Sequence, residues 1–297
     1  MEIVSRMGFK VYPLTTLLAH KQNDSIPEYS MAITVDDGWK GLVELAQPIF
    51  NEYNYPWTLY LTTYYVEKRT QVVDVTIQYL LWKTNEKLID CSKIIPGSTC
   101  MLDLPGNETS VFEYLYDHCS SLSSSDKRQN FIDRLAKQLN VSWPEKSVDN
   151  FLSLVNESDI KQLAKEKVEI ELHTHRHYMP QSSQRDLECE LDLNRQCIKA
   201  LTGREANHLC YPSGDYSERQ IVWIRNIGIN SGVTCNQGLN ESNTDKLLLN
   251  RLLDGDDLYN IEFEAEVSGF KPIMRGIWQA ITREKHYKDK RTWGIEH

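Results

Sequence analysis

Short runs of apolar residues alternate along the chain with longer segments whose apolar residues recur at helical spacing. The run MAITV at 31–35 ends at DDGW, and PWTLYLT at 56–62 follows a segment of helical periodicity at 42–53. Strand, helix and strand in that order predict a βαβ unit. Because parallel α/β folds place catalytic groups at the carboxyl ends of their strands, DDGW marks a candidate site.

The same alternation returns in the second half of the chain. VEIEL at 168–172 has the pattern of a strand and runs directly into HTHRH, and a helix is predicted from Ser183 to a stop at Gly203. A strand ending in LCYPSGDY, a helix at 218–228 and a strand at 229–235 follow. Regular alternation of strand and helix predicts an α/β fold with a parallel sheet or barrel.

Between these halves, residues 66–165 are helical in pattern but irregular, with breaks at IIPGS and SSLSSSDKR. We interpret them as a helical subdomain inserted into one catalytic domain of residues 1–297. The insertion could form a wall of the substrate groove or serve only in packing, and the sequence leaves both open. Its position after the second strand predicts that it borders the active site.

The composition excludes several classes of protein. The net charge of -9 argues against a nucleic-acid binder, because phosphate contacts need a basic face. No run approaches the ~18 apolar residues that a membrane span requires. The first residues lack the pattern of a signal peptide, and the seven cysteines include no CxxC pair. We therefore expect a cytoplasmic protein with reduced thiols.

The C-terminal tail, residues 271–297, is basic although the chain is acidic. It contains seven Lys or Arg against three acids, a balance of 7 - 3 = +4. This balance suggests peripheral contact with an anionic membrane surface. Interspersed charge is also usual on a solvated helix, which is the alternative.

Two motifs at predicted strand ends indicate metal chemistry. His173 and His177 are four residues apart, which in a helical turn lets both imidazoles reach one ion. Asp36 and Asp37 are adjacent carboxylates that point in different directions, so one can bind a cation while the other accepts a proton. Two histidines and one carboxylate leave positions open for water and substrate, which is typical of a catalytic ion and favours hydrolysis of an amide.

A third element, CYPSG at 210–214, follows another predicted strand. Such a turn can present a backbone N–H to a developing oxyanion. Taken alone, the same sequence is also that of an ordinary turn.

Together and in this order, these segments resemble the NodB-type polysaccharide deacetylases, carbohydrate esterase family 4, over residues 9–65 and 158–270. TVDDG is similar to the family's TFDDG, HTHRH to its H[ST]xxH, and LCYPSG to its FxYPxG. The resemblance implies a distorted (β/α) barrel, an N-acetylated glycan as substrate, and a divalent metal, usually Zn and sometimes Co or Ni. The long insertion resembles members found with surface-polysaccharide genes, which suggests bacterial surface-glycan assembly.

The resemblance also assigns residues. It implies that Asp36 is the general base, that Asp37, His173 and His177 hold the metal, and that the backbone N–H of Ser213 helps to bind the oxyanion.

Further positions follow from the same motifs. Thr174 would support the metal site, and His175 and Arg176 fill variable positions. We expect substrate contacts from three more residues near the motifs, which are Trp39, Tyr211 and Pro212.

Two departures from the family pattern concern the base and the acid. Cys210 stands where many members have an arginine that orients the base, and the late segment LLLNRLLDGDD has no histidine to act as general acid. That segment is more similar to the LPRI segment of a related branch, with Arg251 at the arginine. We therefore predict that Arg251 pairs with Asp36 and keeps it ionised, because a nearby cation favours the charged form of a carboxylate.

Two alternative functions remain open at this stage. One is a related metal-dependent hydrolase of amides other than sugars, and the other is a catalytically silent glycan-binding protein. Retention of Asp36 argues against the silent protein, because metal binding does not require a second carboxylate.

Overall fold

The computed structural model describes residues 1–68, 72–122, 124–142, 153–166, 168–255, 258–275 and 277–278. Within these ranges the strands are β1 (Lys10–Val11), β2 (Ser30–Met31), β3 (Ile33–Asp37), β4 (Trp57–Leu61), β5 (Leu88–Asp90), β6 (Met101–Asp103), β7 (Glu169–Leu172), β8 (His208–Cys210), β9 (Ser231–Gln237) and β10 (Leu249–Arg251). Six of them form one sheet in the order β10-β9-β8-β7-β4-β3, and every neighbouring pair is parallel. The sheet curls into a half barrel, as the sequence predicted.

Helices cover the outer face of this sheet and build the inserted subdomain. They are α1 (Glu2–Arg6), α2 (Leu14–Gln22), α3 (Gln47–Glu52), α4 (Thr63–Lys68), α5 (Val73–Lys83), α6 (Glu108–Ser121), α7 (Ser125–Gln138), α8 (Glu157–Lys165), α9 (Gln184–Thr202), α10 (Glu218–Asn226) and α11 (Asn260–Val267). The predicted helix limits at Ser183 and Gly203 are confirmed. Ser183 Oγ accepts the N–H of Asp186, and Gly203 ends α9 in the left-handed conformation that glycine favours.

Alternation along the strands divides their side chains between two faces. In β4, Trp57, Leu59 and Leu61 face the helices and join the main core, which also includes apolar residues of α8, α9 and α10. Tyr60 points to the concave side, where it lies in a smaller cluster with Cys210 and other residues. The concave side also receives the polar residues at the strand ends, so it contains the site.

The insertion has a hydrophobic core of its own, formed by residues between Ile77 and Val141. We predicted a helical insertion, but it also contains two strands, because β5 and β6 pair as an antiparallel hairpin. The last part of the predicted insertion belongs to the barrel instead, since Ile160 and Leu163 of α8 pack in the main core.

The helix predicted at 42–53 is present with an irregular start. Residues Leu42–Ala46 form a π-helical turn before α3 begins. Pro48 has no N–H to donate and its ring clashes with the carbonyl four residues earlier, which accounts for the widened turn.

No helix in the described part of the chain has the length and apolar character needed to cross a membrane. Residues 276 and 279–297 of the predicted basic tail lie outside the described residues. Two of the tail's cations pair with acids of α11. Arg275 Nη1 lies 2.6 Å from Glu266 Oε1, and Lys271 Nζ lies 3.4 Å from Glu266 Oε1 and 3.6 Å from Glu262 Oε1.

Candidate metal centre and active site

The carboxyl ends of three strands of the same sheet bring the predicted site residues together. Asp36 and Asp37 end β3, His173 directly follows β7, and Cys210 ends β8. Parallel strands expose their carboxyl ends at one edge of the sheet, which is why residues more than 130 positions apart meet here.

Asp37, His173 and His177 are grouped as ligands of one ion would be. Asp37 Oδ1 lies 3.2 Å from His173 Nε2 and 3.3 Å from His177 Nε2, and one ligand atom from each residue lies within 4.8 Å of the others. Ligands at about 2.1 Å from an ion in tetrahedral geometry are about 3.4 Å apart. The spacing therefore suits a small divalent cation.

The orientation of His173 also fits a metal. Its Nδ1 lies 2.9 Å from the carbonyl oxygen of Cys210, and because a carbonyl only accepts, Nδ1 carries the proton of the neutral ring. Nε2 then directs a lone pair toward the Asp37 carboxylate, and a cation between these two electron-pair donors would satisfy both. A partner of this kind on the second ring nitrogen is usual for metal-binding histidines.

The electrostatics of the three residues show the same demand for positive charge. Burial alone would raise the pKa of Asp37, but the adjacent imidazoles of His173 and His177 hold it far below its ordinary value. Burial alone would lower the pKa of His177, but the Asp37 carboxylate raises it above its ordinary value. The site is thus a half-buried anion that attracts a cation.

The helical turn predicted for His173 and His177 is wrong. The loop of residues 173–177 brings the two imidazoles together through strained backbone instead. Residues 173–177 form bends, with positive φ at Thr174 (60°) and His177 (60°). Asp37 (69°) and Ser213 (56°) share this conformation, so four of the eight non-glycine residues with positive φ in the described chain lie at the site. Such strain clusters at functional sites.

Two groups fix the ligands from behind. Trp39 Nε1 donates to Asp37 Oδ2 at 3.1 Å, which leaves Oδ1 facing the histidines. Thr174 Oγ1 accepts the N–H of Tyr178 at 3.1 Å and closes the turn around His177. Trp39 therefore positions a metal ligand, while its predicted contact with substrate stays a prediction.

The contact predicted between Arg251 and Asp36 is present. Nη1 and Nη2 of Arg251 donate to Oδ1 and Oδ2 of Asp36, both at 2.8 Å, and Nε donates to the carbonyl of Thr234 at 3.0 Å. Arg251 ends β10 and Asp36 lies in β3, which are the two edges of the sheet. The bidentate pair thus joins the edges of the half barrel, and its catalytic role stays a prediction.

Cys210 occupies the space between these edges. Its buried thiol lies with Sγ 3.4 Å from Asp36 Oδ2. Burial raises the pKa of the Cys210 thiol, so the thiol keeps its proton and can donate to the carboxylate. Asp36 therefore accepts hydrogen bonds from two strands, β8 and β10.

The substrate contacts predicted for Tyr211 and Pro212 are corrected by burial. Tyr211 is 0% exposed and donates its hydroxyl to the carbonyl of Leu247 at 2.7 Å, and Pro212 is also buried. Both side chains serve the core, because the residue after Cys210 points to the helix side of β8. Ser213 is exposed, so its backbone remains the candidate for the oxyanion contact.

Sequence reasoning missed Asn194, which is fully buried in α9. Its Oδ1 accepts the N–H of His173 at 3.0 Å, while Nδ2 donates to the Leu61 carbonyl at 2.9 Å and to Thr63 Oγ1 at 3.0 Å. It links the ends of β4 and β7 where the metal ligand begins. The sequence could have indicated this role, because Asn194 is a polar residue on the apolar face of the predicted helix.

The last part of the predicted insertion contacts the DDGW loop, while the prediction that the subdomain between Ile77 and Val141 borders the site stays a prediction. The N–H of Val155 donates to the carbonyl of Gly38 at 2.7 Å, and the N–H of Lys40 donates to the carbonyl of Ser153 at 2.8 Å. Trp39 and Leu154 form an isolated antiparallel bridge. The end of the insertion is thus bonded to the DDGW loop.

The chain is similar to known deacetylases in sequence and in fold. Residues 133–232, about a third of the chain, match the family model described as polysaccharide deacetylase, and this segment contains both histidines and the YPSG turn. No protein of curated function matches the sequence.

Three solved structures share the fold. The deacetylase PplD of Streptococcus pyogenes, solved with acetate, has a TM-score of 0.57 and 13% identity over 90% of this chain and 83% of that one. IcaB from Ammonifex degensii has a TM-score of 0.55 and 13% identity, over 90% of this chain and 85% of that one. The BpsB deacetylase domain from Bordetella bronchiseptica has a TM-score of 0.52 and 13% identity, over 84% of this chain and 81% of that one.

The matched segment, the curled six-stranded sheet and the grouped motif residues agree with one another. The chain is therefore similar to the polysaccharide deacetylases, in sequence over residues 133–232 and in fold over most of its length.

Proposed function

We propose that this protein is a metal-dependent N-deacetylase that hydrolyses the acetamide of an N-acetylated amino sugar in a polysaccharide or surface-glycan precursor. One observation supports it above the others. A free carboxylate, Asp36, is held in bidentate contact by Arg251 next to the carboxylate and two histidines that suit a cation. A site that only binds a metal does not need this second, separately held carboxylate.

The residues define a reaction sequence. Asp37, His173 and His177 would hold a divalent ion, most simply Zn, which would supply Lewis-acid polarisation of the substrate carbonyl. Asp36 accepts a proton from the water that attacks this carbonyl, and the Ser213 N–H donates to the developing oxyanion. Asp36 then returns the proton to the nitrogen as the C–N bond breaks, which yields acetate and an amine. Since the late segment has no histidine, one residue acts as base and then as acid.

Mass spectrometry tests the proposal directly. N-acetylated oligosaccharides incubated with Zn-loaded protein should lose acetyl groups, and the protein treated with a chelator should be inactive. The Asp36→Asn variant keeps the size of the side chain and the metal ligands, so it should bind Zn normally but lose about 10²- to 10⁴-fold in kcat. The S. pyogenes deacetylase was solved with acetate, which is the product expected here.

The same assay decides between the proposal and the two alternatives. Hydrolysis of small amides with no action on glycans would identify a hydrolase of other amides. Glycan binding without any acetyl release, at every metal tried, would identify a silent binding protein. Co and Ni should be compared with Zn, because the ligand set of two imidazoles and one carboxylate suits all three.

We also propose peripheral contact with an anionic membrane surface at the C-terminal end. Five exposed apolar residues are spaced as one face of a helix, and they are Phe270, Ile273, Met274, Ile277 and Trp278. Such a face with aromatic residues, followed by a basic sequence, is typical of helices that lie in a bilayer interface. Deletion from Phe270 onward should abolish binding to anionic liposomes, and unchanged binding would refute the contact. The cytoplasmic location stays a prediction, which cell fractionation tests.

A further inference from the structure

Two cysteines of the insertion, Cys91 and Cys100, lie opposite each other at the two ends of the loop between β5 and β6. The ladder of these antiparallel strands ends at the pair Asp90 and Met101, so Cys91 and Cys100 are the next opposed residues. The Cys91 N–H donates to the Cys100 carbonyl at 2.9 Å, which extends the ladder to this pair. Opposed residues of such a ladder have Cα atoms about 4.5 to 5.5 Å apart, within the range of about 4.4 to 6.8 Å that a disulfide requires.

The two thiols are free, and they differ in their access to solvent. Cys91 is 0% exposed, whereas Cys100 is partly exposed. Burial, and then the adjacent Cys100 thiol, raise the pKa of Cys91 to about 11, so Cys91 keeps its proton at neutral pH. An oxidant in solution therefore meets Cys100 first, and Cys91 is protected behind it.

The loop between the two cysteines holds this arrangement without a covalent bond. The N–H groups of Ile94 and Ile95 donate to the Cys91 carbonyl at 3.1 and 2.7 Å, and the Cys100 N–H donates to Ser98 Oγ at 3.2 Å. Ile94 is 2% exposed and packs in the core of the insertion. Engineered disulfides often fail because the backbone must move to accommodate them. Here the backbone is already in place.

Cys210 and Cys235 are a second pair of neighbouring cysteines, but their thiols already have partners. Cys210 Sγ lies 3.4 Å from Asp36 Oδ2, and Arg251 Nη2 donates to Cys235 Sγ at 3.5 Å. A disulfide between them would have to displace these contacts with the Asp36–Arg251 ion pair. Oxidation should therefore occur at the pair in the insertion.

We propose that Cys91 and Cys100 are a modification site, where a peroxide forms a reversible disulfide that locks the β5–β6 hairpin. The Cys100 thiolate attacks hydrogen peroxide, the O–O bond breaks, and hydroxide leaves a sulfenic acid on Cys100. The Cys91 sulfur then attacks the sulfenic sulfur, and the S–O bond breaks as the S–S bond forms. The hydroxyl group leaves with the Cys91 proton as water. In sum, two thiols are oxidised and one peroxide is reduced to two waters.

The inference is independent of the proposed function, because neither cysteine contacts the candidate metal site in the described structure. Its expected effect is on the stability of the insertion. A disulfide that closes a short loop restricts the unfolded chain, and for the loop from 91 to 100 this makes opening of the insertion up to about 100-fold rarer.

Peptide mapping tests the disulfide directly. The full chain is treated with a small excess of hydrogen peroxide, remaining thiols are blocked with iodoacetamide in denaturant, and the unreduced protein is digested with trypsin. Trypsin cleaves after Lys93, so the disulfide should join two peptides into a product two hydrogen atoms lighter than their sum. Dithiothreitol should separate them. Cys100→Ser changes a partly exposed residue and should abolish the linked product.

Cys119→Ala is the matched control for this variant. Cys119 is also 0% exposed, packs in the core of the insertion and lies in the same tryptic peptide as Cys100. Its loss should leave the yield of the linked product unchanged, which identifies Cys100 as the linked residue. Exposed Cys189 reports whether peroxide reached the protein.

Hydrogen exchange then measures the effect of the bond. Oxidation should slow exchange in α6 and α7 by up to about 100-fold for amides that exchange by opening of the insertion, and should leave β7 unchanged. The Cys100→Ser protein should show no slowing. Free Cys91 and Cys100 thiols after Cys189 has been oxidised, or a linked product from Cys210 and Cys235 alone, would overturn the modification site. A disulfide at 91 and 100 without slower exchange would overturn its locking effect.

Discussion

Arg251 donates hydrogen bonds to both carboxylate oxygens of Asp36, and substitution of Arg251 tests what this contact contributes to catalysis. Arg251→Ala should retain Zn, because it removes none of the three metal ligands, but should lower kcat about 10- to 100-fold. A carboxylate that loses an adjacent cation ionises less readily. The acidic limb of the pH–rate profile should therefore move to higher pH, which steady-state kinetics across pH can measure.

Arg251→Lys is the matched control for this variant. An ammonium supplies a charge but cannot contact two oxygens in a fixed plane, so its activity should fall between those of the other two proteins. An Arg251→Ala protein with full kcat and an unchanged pH profile would show that Asp36 is oriented by other groups.

His208 allows a pH prediction that is independent of the metal ligands. It is 7% exposed, its Nδ1 lies 2.8 Å from Ser231 Oγ, and burial lowers its pKa below the ordinary 6.5. Below about pH 6.5 the unfolded chain therefore binds a proton that the folded protein does not. Stability should fall as pH decreases, by up to about 1.4 kcal/mol per pH unit.

His208→Asn measures this contribution, because asparagine can keep the contact with Ser231 but does not titrate. The free energy of unfolding, from urea titrations between about pH 7.5 and about pH 5.5, should fall less in the variant than in the parent protein. Parallel curves over this range would mean that His208 is protonated in the folded state.

For single residues, the sequence predicted chemical roles better than backbone conformation or burial. The grouping of Asp37, His173 and His177 and the Arg251 contact followed from motifs, because each motif reflects a chemical requirement. The left-handed backbone at Thr174 and His177, and the burial of Tyr211, did not follow. Those depend on which side of a strand a residue occupies and on contacts from distant strands.

Among the secondary-structure elements, α9 connects the core to the metal site through Asn194. Asn194→Ala removes three hydrogen bonds and leaves the His173 N–H and the Leu61 carbonyl buried without this partner. We expect a loss of about 3 kcal/mol, or roughly 6 to 12 °C in Tm for a domain of this size. Zn affinity should fall as well, because His173 loses its backbone anchor.

Leu193→Ala is the control for this helix, since its side chain is adjacent to Asn194 but 39% exposed. It should change stability by less than about 0.5 kcal/mol. Calorimetric scans with and without Zn measure both effects. Equal Tm values for the two variants would contradict the anchoring role.

Elements with a strong local pattern were predicted well. The apolar run of β4 and the capped, amphipathic α9 were recognisable because their periodicity reflects their own burial. The π-helical turn before α3 was missed, because it depends on a proline already inside the helix. The β5–β6 hairpin was missed, because it depends on the pairing of two strands of only three residues each.

The described residues form two large hydrophobic cores and a smaller cluster that includes Tyr60 and Cys210. The main core packs beneath β3 and β7, which end at the metal ligands, while the core between Ile77 and Val141 stabilises α5, α6 and α7. Backbone hydrogen bonds of residues 153–155 attach the end of the predicted insertion to the DDGW loop. Two cores built from separate sets of residues can open as separate units.

Zn should therefore protect the barrel against hydrogen exchange and leave the insertion unchanged. A ligand at about 100 times its Kd stabilises the unit that binds it by about 2.7 kcal/mol, which corresponds to about 100-fold slower exchange for amides that exchange by opening of that unit. Peptides covering β7 and the HTHRH loop should show this slowing, while those from α6 and α7 should change less than about twofold. His173→Ala, which removes a ligand, should show no protection anywhere. Equal slowing in α6, α7 and β7 would instead mean that the two cores unfold as one cooperative unit, and that the insertion is part of the structural support of the metal site.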